Sequence, residues 1–117
     1  MSIEYSLYTG HPRAVSAAMN RQIGALVRHG SYHLKVGITN WPERRWREHR
    51  PYGWDRMYVV YRSSSWKKVC ALEQMTEQKL RNLHLRMECE CWNERAGGAG
   101  RIPENGPFFV YILTESR

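Results

Sequence analysis

Residues 32–49, YHLKVGITNWPERRWREH, carry the pattern on which the fold turns. Leu34, Val36 and Ile38 alternate with His33, Lys35 and Gly37, so the first half is a strand with two distinct faces. Gly37 suits a point where something approaches the backbone closely. Thr39-Asn40 offers helix N-cap chemistry and Pro42 fits a first helical turn. Arg45 and His49 stand four apart on the predicted helix and therefore share a face. A guanidinium and an imidazole beside a lysine-bearing strand make a candidate phosphate site.

Outward toward the N-terminus, Gly30 is a natural helix stop. Before it, Val15, Met19, Ile23, Leu26 and Val27 recur at helical spacing, which predicts a helix from Pro12 to about Arg28 with one apolar stripe. Residues 3–8, IEYSLY, are either a short strand or an extended lead-in. Toward the C-terminus, Pro51 and Gly53 punctuate a loop, and RMYVVYR at 56–62 has the β-branched and aromatic content of a second strand.

Ser63-Ser64-Ser65 can cap a helix over about 65–83. On it, Val69, Leu72, Leu80 and Leu83 point in a common direction, and Glu73 falls on the same side. A carboxylate against an apolar stripe costs desolvation unless a cation or metal answers it. The alternative is a stripe-edge glutamate that reaches water or an arginine. Glu77, one turn later, is the fallback candidate. Residues 84–105 are irregular and include the glycine-rich RAGGAGR, which lacks the GK[ST] ending of a P-loop. Gly106-Pro107 then launches FFVYIL, in which Phe108, Val110 and Ile112 alternate with Phe109, Tyr111 and Leu113.

At 117 residues a single domain is expected, with residues 1–30 as a helical addition, 31–83 as a strand-helix-strand-helix motif and 106–114 as a last strand. The net charge of +7, from 18 Lys and Arg against 11 Asp and Glu, favours a polyanionic partner. Absence of a long apolar run or a signal-peptide pattern leads to the expectation of an intracellular protein, in cytoplasm or nucleus/nucleoid, with no membrane partner. Three cysteines, Cys70, Cys89 and Cys91, argue against a disulfide scaffold, and Cys-x-Cys with His84 is a weak zinc pattern. The mixture of Trp41, Arg44, Trp46, Arg47 and Arg50 suits nucleic acid, by stacking and phosphate contact.

The order strand, Gly37, Thr39, Arg45, His49 resembles the second half of the GIY-YIG nuclease motif. The resemblance implies an α/β (α+β) fold with a small three-stranded antiparallel sheet flanked by helices. It places Lys35-Val36-Gly37 at the YIG triplet, Arg45 at the catalytic arginine, His49 at the frequent histidine and Glu73 at the metal ligand for Mg²⁺ or Mn²⁺. Asn93 matches the polar residue that often follows. The GIY strand is missing upstream, but FVYIL at 109–113 is similar to the variant first strand of many members. That implies a circular permutation, with the last strand inserted between 32–38 and 56–62 and Tyr111 in place of the GIY tyrosine; Tyr5 or Tyr8 is the competing assignment. Lys35 departs from the YIG tyrosine, a change found in restriction-type members. The implied activity is metal-dependent endonucleolytic hydrolysis of DNA, with specificity from a homodimer or a protein partner. A catalytically inactive nucleic-acid-binding module of the same fold is the alternative.

Overall fold

Three strands each hand the chain to a helix that starts at the same end of the sheet. The computed structural model describes residues 2–86, 89–91 and 105–116. The elements run β1 (Ser2–Tyr8), α1 (Pro12–Arg28), β2 (Ser31–Thr39), α2 (Pro42–His49), a 3-10 turn (Arg50–Tyr52), β3 (Arg56–Ser63), α3 (Trp66–Leu85), β4 (Glu90–Cys91) and β5 (Phe108–Ser116). The sheet order is β1-β3-β5-β2-β4. β1 is parallel to β3 and β4 to β2, whereas β5 is antiparallel to both of its neighbours, β2 and β3. Strands β1 to β4 therefore share one direction and β5 alone opposes them.

The expected three-stranded antiparallel sheet is thus corrected to a mixed sheet of four long strands with the two-residue β4 as a fifth at its edge. The antiparallel trio β3-β5-β2 does form its centre. The extra strands are parallel because helices intervene. The connection from β1 through α1 to β2, and that from β3 through α3 to β4, are crossovers that return the chain in its original direction. IEYSLY is a true strand, but one whose residues Glu4 to Tyr8 are exposed. It lacks the buried alternation that would announce it.

The helices begin and end much as their local chemistry dictates. Pro12 opens α1, and the N-cap His11 accepts from the Arg13 amide at 3.2 Å. Ser65 caps α3, its hydroxyl accepting from the Lys68 amide at 3.2 Å. α2 differs from expectation, since its N-cap is Trp41 and no side chain caps it. Thr39 instead accepts from the Trp41 amide at 3.1 Å, and Asn40 donates to the Asn105 carbonyl at 3.0 Å. Those bonds shape the turn that sends α2 back over the sheet. Gly30 and Gly53 have φ of 102° and 95°, where a side chain is strained.

The two sets of alternating residues on β5 feed two separate cores. Val110 and Ile112 join Val15, Met19 and Ile23 of α1, Leu34 and Val36 of β2, and Val69, Leu72 and Leu80 of α3. On the other face, Tyr111 and Leu113 pack with Met57 and Val59 of β3, Trp46 of α2 and Trp54. A bulge at Val60, between the pairs Val59–Tyr111 and Tyr61–Val110, breaks the alternation so that the neighbours Val60 and Tyr61 both enter the first core while Val59 enters the second. The first core is the larger, under two long helices; the second is a thin layer under one short one. No described helix is long and apolar enough to cross a membrane.

Candidate active site

Tyr111 and Gly37 are directly paired across β5 and β2, so both address the face covered by α2. The tyrosine ring fills the space where Gly37 has no side chain: a Cβ there would lie 2.5 Å from the ring Cζ. Close approach is therefore the reason for glycine at this position, and a ring on the partner strand is what approaches. Tyr111 is only 4% exposed, and its hydroxyl lies 3.2 Å from His49 Nε2 at the end of α2. Burial is the main cause that pushes the Tyr111 hydroxyl up to about 12; the Arg45 cation counteracts, while the carboxylates of Glu73 and Glu48 reinforce the rise. At neutral pH it is a phenol, not a phenolate.

His49 is shifted the opposite way, down to about 4, chiefly because its half-buried ring is poorly solvated and then because Lys35 and Arg45 oppose a third positive charge. The imidazole is neutral at physiological pH. Lys35 lies two residues before Gly37 and faces Leu113, hence on the same side of the sheet as Tyr111. Arg45, one turn before His49, is partly exposed and has Glu48 at 3.8 Å, while its Nε is buried without a hydrogen bond. Lys35, Arg45, His49 and Tyr111 are thus brought together from a strand, a helix and the central strand.

Glu73 stands on α3, in the layer on the other face of the sheet, and its charge helps raise the Tyr111 hydroxyl. It is 4% exposed, and its Oε1 is buried with no hydrogen-bond partner. Burial, followed by repulsion from Glu77, pushes its carboxyl up to about 7. Glu77 is equally buried but receives Arg81, whose Nη2 and Nε lie 2.7 and 3.1 Å from one carboxylate oxygen. The fallback candidate is therefore occupied structurally, and Glu73 is the carboxylate left for something else. Among the described residues no group of three or more His, Cys, Asp or Glu is arranged to hold a metal. That excludes a zinc-type cage there, Cys89, Cys91 and His84 included, since His84 Nδ1 instead accepts from the Cys91 amide at 3.0 Å. A hard cation such as Mg²⁺ keeps its waters and takes one or two carboxylates plus a substrate phosphate. The orphaned oxygen of Glu73 fits that demand.

The remaining expectations divide. Arg44, Arg47 and Arg50 are exposed along α2 and its end, open to a polyanion. Trp46 is corrected: it is 6% exposed and packs with the Tyr111 core, because it occupies the buried face of α2. Trp41 is the exposed ring of this helix, at 52%, with the Arg44 guanidinium 5.9 Å from its centre. Asn93 and the glycine-rich stretch lie outside the described residues. Tyr5, the competing tyrosine, is on edge strand β1 and donates to Glu43 on α2; Tyr8 is exposed at the end of the same strand. Glu48 was not singled out by sequence reasoning, although its i,i+3 spacing from Arg45 and i,i+1 position before His49 were signals of its place at the rim.

The T5orf172 domain model matches residues 19–101, and the chain belongs to this family, whose domain is found in some nucleases. The matched segment includes Lys35, Arg45, His49 and Glu73 and stops before β5, which brings Tyr111. Comparison with curated proteins and with solved structures gave no match.

Proposed function

We propose that this T5orf172-domain chain is a metal-dependent endonuclease of GIY-YIG type that hydrolyses phosphodiester bonds in DNA. The observation that carries the reading is Glu73: a buried carboxylate oxygen without a hydrogen-bond partner, within electrostatic reach of Tyr111, whose hydroxyl meets His49. Burying a carboxylate in that state is costly, and a structural role is already filled one turn away by the Glu77–Arg81 pair. Membership in a family found in nucleases and the +7 net charge point the same way.

Each residue has a task that follows from its state. Arg45 and Lys35 bind the phosphodiester and stabilise the charge that grows on its oxygens. The neutral hydroxyl of Tyr111 orients the attacking water and relays its proton: Tyr111 takes a proton from water as it gives its own to His49 Nε2. His49 accepts that proton because its ring is unprotonated at pH 7, and its low pKa makes it a relay rather than a store. Glu73 would hold one Mg²⁺ or Mn²⁺, which when bound supplies positive charge to the phosphate and the leaving oxygen. Arg44, Arg47, Arg50 and Trp41 would contact the flanking DNA beside α2.

The test is cleavage of plasmid and branched DNA in Mg²⁺ or Mn²⁺, with a Glu73→Gln variant in parallel. The expected result is metal-dependent cutting by the wild type and none by the variant, with DNA binding retained by both. Binding without cutting by the wild type on every substrate would replace the nuclease with an inactive binding module of the same fold.

A further inference from the structure

A second basic site lies away from α2, in the groove between the first turns of α1 and α3. The groove is about 300 Å³ and is lined by His11, Pro12, Arg13, Lys67, Lys68, Ala71 and Met75. Its rim holds three permanent cations, its floor is apolar, and no acidic residue lines it. Neither helix has an acidic residue in its first turn, whereas α2 carries Glu43 there. The side chains of Arg13, Lys67 and Lys68 are exposed, so they are not consumed by packing. His11 accepts from the Arg13 amide through Nδ1, which leaves the N–H on Nε2 of the neutral ring as a further donor.

We propose that this groove holds the sugar-phosphate backbone of the nucleic acid beyond the cleaved bond. The inference rests on the nuclease reading and adds a second contact surface to it. Clustered like charges repel one another unless an anion answers them, and here the folding of β1 and β3 into adjacent parallel strands is what brings the two basic first turns together. The groove is also tied to the candidate active site by α3 itself. Lys68 precedes Glu73 by five residues, about 7.5 Å along the helix axis and about 140° around it, so one helix carries the groove on its exposed side and Glu73 on its buried side. The first turn of α3 follows the end of β3 that pairs with the start of β5, the same end of the sheet at which Gly37 and Tyr111 pair, so groove and candidate active site share that end of the molecule. The apolar floor of Pro12, Ala71 and Met75 accepts sugar faces, which a purely polar surface would not.

The experiment is a salt titration of duplex and single-stranded DNA binding, by fluorescence anisotropy in metal-free buffer, for wild type and the triple variant Arg13→Gln/Lys67→Gln/Lys68→Gln. Thermal melts of both proteins establish that the exposed substitutions leave the fold intact. The expected result is a salt dependence shallower by about 2 to 3 in log–log slope, since each phosphate contact contributes roughly 0.9. Affinity at low salt should fall at least tenfold. An unchanged slope and affinity in a folded triple variant would overturn the groove. So would loss of poly-glutamate binding with DNA binding intact, which would assign the groove to an acidic protein. Failure of the wild type to bind DNA would remove both readings together. Glu73→Gln, assayed separately for cleavage in Mg²⁺, separates them: cleavage that persists in this variant defeats the catalytic reading, while the slope difference of the triple variant still judges the groove.

Discussion

Glu73 and Glu77 stand one turn apart on α3, both almost fully buried, yet they live in different chemistry. Glu77 has Arg81 four residues further on, and the guanidinium closes on one of its oxygens. Glu73 has no such neighbour on its own helix. Four residues ahead of it is Glu77 and three ahead is Thr76, whose hydroxyl is donated to the Leu72 carbonyl at 2.8 Å. Behind it stand Cys70 and Val69. The comparison teaches that burial alone does not mark a functional acid. An acid whose own helix supplies the counter-charge holds structure together; one that is buried without it is the candidate for a ligand.

The comparison can be broken most directly by activity. Glu73→Gln should lower metal-dependent DNA cleavage by about 10³-fold, in line with loss of a principal charge-stabilising group, without lowering the melting temperature. A melting temperature that falls as far as activity would return Glu73 to the structural class. Tyr111→Phe comes next, with a loss of cleavage on the order of 10²-fold as the proton relay is cut, in a protein that melts normally. If phenylalanine cuts as well as tyrosine, the hydroxyl over Gly37 is only packing.

Glu77→Ala should do the reverse. Removing the carboxylate takes the Glu77 ion pair from Arg81, which is one-third exposed, and stability should drop by about 2 kcal/mol in chemical denaturation; cleavage per folded molecule should hold. Activity lost in proportion to Glu73→Gln would show that the two acids act as one site. The smallest effect is on pH. Because the Glu73 carboxyl is raised from 4.5 to about 7 in the folded protein, the folded state binds the extra proton between those values, so stability falls as pH rises across that window. The fall should be on the order of 1 kcal/mol once local relaxation is allowed for, absent in Glu73→Gln and reduced by added Mg²⁺. A wild-type curve that is flat from pH 4.5 to 7, measured by urea denaturation, would mean that the carboxylate is better solvated than its burial indicates.

Much of the fold was legible because its signals are local. The stripe Val15, Met19, Ile23 predicted α1 with the bounds observed, and the β-branched run at 56–62 predicted β3 to within a residue. FFVYIL sorted its side chains correctly between two faces, and its hydrophobicity on both of them agrees with the central place it takes. What escaped was the pairing of β1 and β4. β1 exposes five of its seven residues, and β4 has only two residues, so neither shows a periodicity by which direction or partner can be read. Trp46 was misjudged for a related reason. On a helix as short as α2, PERRWREH, the basic residues surround the tryptophan in sequence, and only the placement of the helix over Tyr111 turns its ring inward.

The sequence by itself determined the three strands that build the centre of the sheet and the helices α1 and α3, the Arg45–His49 spacing, the presence of an acid on an apolar stripe and the positive charge. These depend on neighbours within one helical turn or one strand, where a chain carries its own instructions. The place of the last strand between β2 and β3 was already implied by the family resemblance; the tertiary structure decided that β1 and β4 join the sheet as parallel strands, that Tyr111 lies on Gly37 beside His49, and that Arg81 takes Glu77 and leaves Glu73. Side-chain choice between two possible partners, and strand order in a sheet, are set by contacts between residues far apart in the chain. Their energies exist only after the layers have closed and excluded water.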